Sequence, residues 1–245
     1  MNELVNRHYL TSLFEPQSVA IFGASETAGK IGAVLISNML ASAYRGALFA
    51  VNPKYRSVHG VPCFASIAAL PQRVDLAVVA TPAHGVPEVI EQCGMAGVRV
   101  AVVITAGFFE TGVEGAKLER RMLDNARRHG VRIIGPNCLG ILRPSLGLNA
   151  TFARNTALPG SLGLISQSGA VCSAMLDWAK PNGIGFSSVV SLGGSSDIDF
   201  GEIIDYLAYD QHTGHILLYI EGIRDARGVS SAACARPRAL SPSSS

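Results

Sequence analysis

The chain has 245 residues and a formal net charge of +2, with 48% hydrophobic and 16% charged residues. These values are typical of a globular protein with one large or two ordinary domains, and they exclude an intrinsically disordered chain. The low net charge, without a run of Lys or Arg, argues against a nucleic-acid partner. No apolar run reaches the roughly 20 residues of a membrane span, and residues 1–10 do not resemble a signal peptide. The five cysteines lack metal-site spacing, so we expect a cytoplasmic protein with free thiols and no bound metal.

From residue 18 onward, short apolar runs alternate with amphipathic segments. We predict strands at residues 19–22, 48–51, 76–80, 100–104 and 131–134, and helices at residues 31–43, 66–70, 87–96 and 114–129. The strands are nearly continuous apolar runs, which is typical of a parallel sheet covered by helices on both faces. The alternation therefore predicts a doubly wound α/β domain of the Rossmann type over residues 1–142.

Residues 143–160 interrupt this pattern because they are rich in Pro, Gly, Asn and Thr, and we interpret them as a connector. The alternation then resumes, with strands predicted at residues 162–165, 188–191 and 216–220 and helices at residues 170–179 and 200–208. Residues 161–227 are therefore expected to form about half of a second α/β domain. Residues 228–245 have no periodicity, and we interpret this tail as a frameshifted or otherwise truncated end.

A glycine-rich loop follows the first predicted strand and leads into a helix. Glycines allow the backbone to approach a ligand closely, and free N–H groups at a helix start attract phosphate. An ordinary turn between strand and helix is the alternative, since the glycine spacing is longer than in the G-x-G-x-x-G fingerprint. The pattern favours a phosphate site for an adenine cofactor, and its candidate residues are Gly23, Ala24, Ser25, Gly29, Lys30, Ile31 and Gly32.

The end of the second predicted strand indicates which cofactor this is. An NAD site places an acidic residue there to hold the ribose hydroxyls, but this chain has Asn52-Pro53-Lys54. Lys54 suits an additional phosphate on the ribose, as in CoA and NADP, with a surface lysine after a turn as the alternative. The next two strands end in Thr81-Pro82 and Thr105-Ala106, and these small residues leave room for a narrow chain such as pantetheine.

Seven motifs occur in order along the chain: residues 23–32, Asn52-Pro53-Lys54, Thr81-Pro82, Ile104-Thr105-Ala106-Gly107, residues 135–140, Ser166-Gln167-Ser168-Gly169 and Glu221-Gly222. Together they resemble the NDP-forming acyl-CoA synthetases, which include ADP-forming acetate–CoA ligase and the α subunit of succinate–CoA ligase. Acyl-CoA-synthetase-like proteins fused to a protein acetyltransferase domain share this front end. The resemblance covers about residues 8–226, and it implies a Rossmann-type CoA-binding domain followed by an incomplete flavodoxin-like domain.

The resemblance also implies roles for individual residues. In the family, a phosphohistidine carries phosphate between an acyl phosphate and a nucleotide. Ser168, Gly169 and Ala170 match the helix start that holds this phosphate, with an ordinary serine N-cap as the alternative. Glu221 matches the carboxylate partner of the phosphorylated imidazole, and Gly193-Gly194 matches a glycine pair near the same centre. CoA is expected to bind through the glycine-rich loop, Pro53, Lys54, Thr81, Pro82, Ile104, Thr105, Ala106 and Asn137.

Two departures from the family pattern bear on activity. Ser173 stands where succinate–CoA ligases have Tyr, so succinate is not implied. All six histidines precede Glu221, and none lies in the Ser-His-x-Gly or Gly-His-x-Gly loop of the family. The ATP-grasp domain, through which ATP, ADP and Mg²⁺ bind, has no match either. We therefore expect this chain to bind CoA, but not to turn over a small carboxylic acid without an ATP-grasp subunit or downstream domain.

Three functions remain open on the sequence. The first is the CoA-binding portion of an ADP-forming acyl-CoA synthetase. The second is a stand-alone CoA-binding regulatory module, or the acyl-CoA-synthetase-like part of a protein acetyltransferase. The third is an NADP-binding oxidoreductase domain, which only the glycine-rich loop and Lys54 favour. Ser168-Gly169 and Glu221 argue against this third function, because hydride transfer requires neither.

Overall fold

A computed structural model describes residues 8–222 as two β-sheets with helices on their faces. The tail predicted at residues 228–245 lies outside the described residues. Helices within the described range are α1 (Thr11–Phe14), α2 (Ile31–Ala41), α3 (Val86–Met95), α4 (Val113–His129), α5 (Gly169–Ala179) and α6 (Phe200–Tyr209). Among them there is no helix both long enough and apolar enough to cross a membrane.

The strands fall into two groups along the chain. The first group is β1 (Ser18–Phe22), β2 (Ala47–Val51), β3 (Ser57–Val58), β4 (Val61–Phe64), β5 (Leu76–Val79), β6 (Val100–Val103) and β7 (Arg132–Ile134). The second group is β8 (Gly140–Arg143), β9 (Leu148–Thr151), β10 (Leu158–Ser166), β11 (Gly185–Ser191) and β12 (His215–Tyr219). Each group forms one sheet.

The first sheet has the order β3-β4-β2-β1-β5-β6-β7, and β3 is its one antiparallel strand within the described chain. Strand β1 lies between β2 and β5, so the direction in which strands are added reverses at β1. The carboxyl ends of β1, β2, β5 and β6 therefore lie along one edge of the sheet, on either side of the reversal. Open α/β sheets bind ligands at such a point.

Burial explains why the first sheet forms. All five residues of β1 are buried, with Val19 and Ile21 in one apolar cluster and Ala20 and Phe22 in the other. Both faces of this strand are therefore covered, as its continuous apolar run predicts. Helix α4 ends where expected, since Gly130 adopts a left-handed conformation (φ +70°) just after a basic last turn. The predicted Rossmann-type architecture is confirmed.

The second sheet has the order β12-β10-β11-β8-β9, with β8 and β9 antiparallel to their neighbours. The interpretation of residues 143–160 as a plain connector was therefore wrong in part, because they contain β9 and the start of β10. Strand β9 is fully buried, and its polar side chains satisfy each other, since Thr151 Oγ1 donates to Asn149 Oδ1 at 2.7 Å. Because polar side chains can be buried when they hydrogen-bond to each other, a strand of this kind is not recognised from hydrophobicity alone.

Two smaller expectations also differ from the structure. The hairpin of β3 and β4 was missed, although His59-Gly60, with φ of +49° and +81°, forms the tight turn between its strands. The helix expected at residues 66–70 is a single 3₁₀ turn, Ile67–Ala69. The hairpin extends the first sheet beyond β2 and lies next to the glycine-rich loop.

The two sheets share one apolar core. Leu35 of α2, Ile141 of β8 and Phe200 of α6 belong to the same buried cluster as Val19 of β1. Polar contacts also cross between the sheets. Arg132 at the start of β7 donates to Asp197 at 2.9 Å and to Glu202 at 2.7 Å. The relative position of the two sheets is thus held by packing and by paired charges.

A second charged contact is more deeply buried. Arg143 at the end of β8 is 1% exposed and donates to Asp210 at 2.8 Å, whose side chain is 4% exposed. Burial alone raises the pKa of Asp210, but the hydrogen bond from Thr213 and the charge of Arg143 hold it below its usual value. Because the folded pKa is depressed, this stabilisation is complete at neutral pH and is lost as the pH falls through the folded pKa.

Replacing Arg143 with Met is expected to destabilise the fold by about 3 kcal/mol, because Asp210 stays buried without its main partner. The thermal unfolding midpoint at neutral pH should fall by roughly 6–12 °C. Arg127→Met is the matched control, since Arg127 pairs with Asp124 at 3.6 Å on an exposed helix face and contributes below about 0.5 kcal/mol. Equal midpoints for the two variants would contradict the assigned importance of the buried pair.

Candidate functional site

The loop after β1 packs too closely for side chains at two of its glycines. A Cβ on Gly32 would lie 2.0 Å from the Gly23 carbonyl oxygen, and one on Gly23 (φ +80°) would lie 2.6 Å from that of Ala80. The backbone at the start of α2 therefore contacts the backbone at the end of β1 directly, without side chains between them. Backbone of this kind can approach a phosphate closely, as in other glycine-rich nucleotide loops.

Three residues that follow β2 hold this loop from the side. The Asn52 amide donates to the Ala24 carbonyl oxygen at 2.8 Å and accepts from the Lys54 N–H at 3.0 Å. Hydrogen bonds with Ser25 and Thr27 lower the pKa of the Tyr55 hydroxyl, which lies over the loop. In the missed hairpin, the His59 N–H donates to Glu26 at 2.7 Å. These loop contacts are not visible in the sequence pattern.

The start of α2 is open to a ligand. Lys30 is its N-cap residue, and no side chain of residues 8–222 accepts a hydrogen bond from the first turn. The first N–H groups of a helix have no intrahelical acceptor, so they carry a partial positive charge that an anion can satisfy. Lys54 is exposed and forms no ion pair with a carboxylate of the described chain, so its ammonium is free for a ligand.

The ends of β5 and β6 complete this edge of the sheet. Thr105 Oγ1 donates to the Thr81 carbonyl oxygen at 2.7 Å, which ties the two strand ends together. Thr81 Oγ1 is buried and has no hydrogen-bond partner within residues 8–222. Pro82 and Ala106 are exposed beside it. The edge thus presents small side chains and one unsatisfied hydroxyl, which fits a ligand that carries polar groups along a narrow chain.

A second candidate site is an open cleft of about 500 Å³. Residues from the connection between β7 and β8 and from the segments around the second sheet line it: Asn137, Cys138, Leu139, Phe152, Gln167, Ser168, Gly169, Ala170, Ser173 and Glu221. The lining combines apolar side chains with amide, hydroxyl and carboxylate groups. The structure therefore brings together the predicted residues Asn137, Ser168, Gly169, Ala170 and Glu221.

Helix α5 begins at the floor of this cleft. Ser168 is its N-cap, and Ser168 Oγ accepts from the Val171 N–H at 3.4 Å. The side chain of Ser166 fixes the turn, because it accepts from the Ser168 N–H at 3.0 Å and donates to the Ser168 carbonyl oxygen at 2.9 Å. The N–H groups of Gly169 and Ala170 have no intrahelical acceptor. Ser168 is thus an N-cap, and the two residues after it leave donors at the cleft.

Glu221 lies where β12 ends. Its N–H donates to Gln167 Oε1 at 2.7 Å, and the Gly222 N–H donates to the same oxygen at 3.0 Å. Gln167 Nε2 donates in return to the Gly222 carbonyl oxygen at 2.9 Å. Gln167 lies in a motif of the sequence, but the pattern predicts no role for it, because its contact with Glu221 spans 54 residues.

Asn137, which lines the cleft, belongs to a segment whose backbone packs against the loop after β11. The Gly194 N–H donates to the Pro136 carbonyl oxygen at 2.8 Å, and the Ser196 N–H donates to that of Gly135 at 3.0 Å. A Cβ on Gly193 (φ +52°) would lie 2.4 Å from the carbonyl oxygens of Pro136 and Asn137. This glycine therefore permits the close approach that places Asn137 in the cleft.

Cys138 also lines the cleft, but it is not a nucleophile at neutral pH. Burial raises the pKa of its thiol to about 12, and its Sγ lies 3.3 Å from the Val103 carbonyl oxygen. Phe152 and Leu139 are further apolar residues of the lining. None of these three residues was predicted as a site residue, since each reads as an ordinary apolar position in the sequence.

The predicted site residues thus lie in two places rather than one. The first group, at the edge of the first sheet, comprises Gly23, Ala24, Ser25, Gly29, Lys30, Ile31, Gly32, Pro53, Lys54, Thr81, Pro82, Ile104, Thr105 and Ala106. Asn137, predicted with this group, lines the second cleft instead. Its N–H nevertheless donates to the Thr105 carbonyl oxygen at 2.9 Å, so Asn137 borders both sites.

Two family models match the chain. Residues 17–144 match the model described as a CoA binding domain, and this match covers more than half of the chain. Residues 159–241 match the model described as a succinyl-CoA ligase like flavodoxin domain. The order of the two matches agrees with the order of the two sheets.

Proteins of known activity match most of the chain. The ADP-forming acetate–CoA ligase I of Archaeoglobus fulgidus is 47% identical over 215 residues, which are 88% of this chain and 31% of that protein. The α subunit of ADP-forming acetate–CoA ligase I from Pyrococcus furiosus is 41% identical over 222 residues, 89% of this chain and 48% of the subunit. This chain thus spans less than half the length of each of these two relatives.

A solved structure has the same fold. The dinucleotide-forming acetyl-coenzyme A synthetase 1 of Ca. Korarchaeum cryptofilum, in complex with phosphate and ADP, superposes with a TM-score of 0.88 at 38% identity. The alignment covers 91% of this chain and 48% of that chain. This chain belongs to the NDP-forming acyl-CoA synthetase family, with a CoA-binding domain followed by a flavodoxin-like domain. The fold class and the family resemblance predicted from the sequence are thereby confirmed.

The adjacent Gly193 and Gly194, which pack against residues 136–137, provide a test of this backbone contact. Gly193→Ala is expected to lower stability by about 2 kcal/mol or more, because its Cβ overlaps two carbonyl oxygens at a positive φ. Gly194→Ala should change stability by less than about 1 kcal/mol, since its Cβ meets the Pro136 oxygen at 3.4 Å, an ordinary contact. Thermal unfolding of both variants measures the difference. Equal midpoints would show that residues 193–196 do not pack against residues 135–137 as described.

Proposed function

We propose that this chain binds CoA at the loop after β1 and forms the CoA-binding part of an ADP-forming acyl-CoA synthetase. The observation that carries the proposal is the uncapped start of α2 behind a loop whose glycines leave the backbone bare. Phosphate oxygens satisfy such N–H groups, and the charge of Lys54 lies free beside them. The unsatisfied hydroxyl of Thr81 offers a further hydrogen bond at the same edge.

The contacts of Asn52 argue against NAD as the ligand. Both ends of its carboxamide already bind backbone, at Ala24 and at Lys54. Asn52 therefore supports the loop. In an NAD site, by contrast, the acidic residue at this position is free to accept hydrogen bonds from the ribose hydroxyls. With Lys54 next to it, the position suits a ribose that carries a phosphate.

For the second cleft we propose a phosphoryl group as the ligand. The N–H groups of Gly169 and Ala170 would donate to its oxygens, and the positive end of α5 would stabilise its charge. The Glu221 carboxylate would accept a hydrogen bond from the imidazole that carries the phosphoryl group. The relatives named above are ADP-forming acetate–CoA ligases, and the reaction proposed for the whole protein is acyl-CoA, ADP and phosphate giving acid, CoA and ATP.

The two proposed sites are connected by one backbone hydrogen bond, from the Asn137 N–H to the Thr105 carbonyl oxygen. Thr105 belongs to the proposed CoA site and Asn137 to the phosphoryl cleft. An acyl group passing between phosphate and a thiol requires these sites to adjoin, because the reacting atoms must come within about 3–3.5 Å. Their shared border supports a role for both sites in one reaction.

The proposed partners are a small carboxylic acid and an ATP-grasp subunit or domain that binds ATP or ADP with Mg²⁺. The Pyrococcus furiosus relative is an α subunit by name, which supports a second subunit. Ser173 donates to the Gly169 carbonyl oxygen at 3.1 Å and lines the cleft together with the apolar residues Phe152 and Leu139. This apolar space suits the alkyl part of a monocarboxylic acid better than a second carboxylate.

Calorimetry with CoA and dephospho-CoA tests the ligand assignment. CoA is expected to bind about tenfold more tightly, because the ribose phosphate gains a charge-assisted hydrogen bond from Lys54. Lys54→Met should reduce CoA affinity to that of dephospho-CoA and leave dephospho-CoA affinity unchanged. Lys117→Met, on the exposed face of α4, is the matched control. Tighter binding of NAD or NADP than of CoA would overturn the proposal.

Gly32→Ala provides a second test. Its Cβ would lie 2.0 Å from the Gly23 carbonyl oxygen, so the loop must move away from the helix start, and CoA affinity should fall at least about tenfold. Gly85→Ala is the control, because a Cβ at Gly85 meets nothing within 4 Å. Circular dichroism of both variants establishes that they are folded. Unchanged CoA affinity in folded Gly32→Ala would place the ligand elsewhere.

A further inference from the structure

Gln167 has an unusual set of contacts for a residue at the end of a strand. The parallel pairing of β10 with β12 runs from Leu162 opposite His215 to Ser166 opposite Tyr219. One further backbone bond follows, from the Gln167 N–H to the Tyr219 carbonyl oxygen at 3.2 Å. Beyond this point the chain of β10 turns into α5 and offers no more backbone to β12.

The side chain of Gln167 pairs with residues 221–222 where the backbone of β10 no longer can. Its Oε1 accepts from the N–H groups of Glu221 and Gly222, and its Nε2 donates to the Gly222 carbonyl oxygen. A carboxamide has the same donor and acceptor as a peptide group, so it can extend the pairing where backbone is lacking. All three polar contacts lie between 2.7 and 3.0 Å.

Within residues 8–222, the bonds to Gln167 are the main contacts that hold Glu221. It is exposed, and its side chain has no hydrogen bond or ion pair to another residue in the part of the chain that the structure describes. The bonds to Gln167 therefore determine where its backbone lies, and so where its carboxylate can reach. Gln167 and Glu221 both line the cleft at the start of α5.

We infer that Gln167 is a positioning residue, which fixes Glu221 at the cleft so that its carboxylate can accept a hydrogen bond from a phosphorylated imidazole. This inference rests on the phosphoryl site proposed above. Gln167 acts through the backbone of residues 221–222 and requires no contact with the phosphoryl group. The binding of a phosphoryl group alone should then be independent of Gln167, while recognition of the imidazole should depend on it.

Two substitutions separate these contributions. Gln167→Met keeps a similar length and removes all three hydrogen bonds. Gln167→Glu keeps the acceptor but loses the donor to Gly222, and it places a negative charge near that carbonyl oxygen and near Glu221. Gln92→Met is the matched control, because within residues 8–222 the Gln92 side chain hydrogen-bonds only to Glu88, at 3.3 Å and one helical turn away in α3.

The first measurement is amide hydrogen exchange by NMR on the full chain. Exchange at Glu221 and Gly222 should become at least about tenfold faster in Gln167→Met, because both N–H groups lose their acceptor. Exchange in the middle of β12 should stay unchanged, since Leu217 and Leu218 are held by β10. Unchanged exchange at residues 221 and 222 would overturn the inference.

The second measurement compares two probes, inorganic phosphate and protonated phosphoimidazole. Gln167→Met and Glu221→Gln should each weaken phosphoimidazole binding about tenfold and phosphate binding less than twofold. In the double variant the affinity for phosphoimidazole should equal that of Glu221→Gln, because Gln167 acts only through Glu221. Additive losses, or equal losses for both probes, would indicate a general structural role and refute the positioning role.

The outcomes also distinguish this inference from the proposed function. If the wild-type chain binds neither probe, the phosphoryl assignment of the cleft fails, whatever the exchange rates of the variants. If both probes bind and Gln167→Met changes neither exchange nor affinity, the inference alone fails.

Discussion

The close contact of residues 135–137 with residues 193–196 is the constraint on which the cleft depends. It is made by backbone from two different sheets, and Gly193 permits it because any Cβ there would overlap two carbonyl oxygens. Two backbone segments in contact cannot adjust their separation as flexible side chains can, so other contacts must hold the two sheets at the right distance. The shared apolar core and the ion pair of Arg132 with Asp197 are such contacts. The geometry around Asn137 is thus determined by packing between the two sheets.

The helix starts of the chain differ in a way that matches their proposed roles. Helices α3, α4 and α6 carry an acidic residue in the first turn, and α6 closes its start with a capping box. Helices α2 and α5 carry no acid in the first turn. A carboxylate there would occupy the free N–H groups and repel an incoming phosphate. The first turns of α2 and α5 therefore leave backbone N–H groups open to an anion, and Ser168 satisfies only one of those of α5. The four-residue helix α1 also lacks an acid in its first turn, so this feature alone does not define a site.

Sequence reasoning predicted the parts of the fold that local pattern determines. The buried parallel strands and the glycine-rich loop each carry a local signal in composition or spacing. Strand β9 was missed because Asn149 and Thr151 satisfy each other inside the core. The supports of the loop were missed as well, since Asn52 and His59 reach it from 28 and 33 residues away. Contacts between distant segments depend on the completed fold, which no local pattern encodes.

The motif Ser166-Gln167-Ser168-Gly169 illustrates why matching a motif does not assign its members. Ser166 shapes the turn and Ser168 caps α5, so both serve the helix start. Gln167, between them, binds the end of β12 instead. Strand β10 stops pairing with β12 at this point, because its continuation becomes helix α5, which begins at the cleft. An amide side chain resolves this conflict, since it continues the pairing while the backbone turns away.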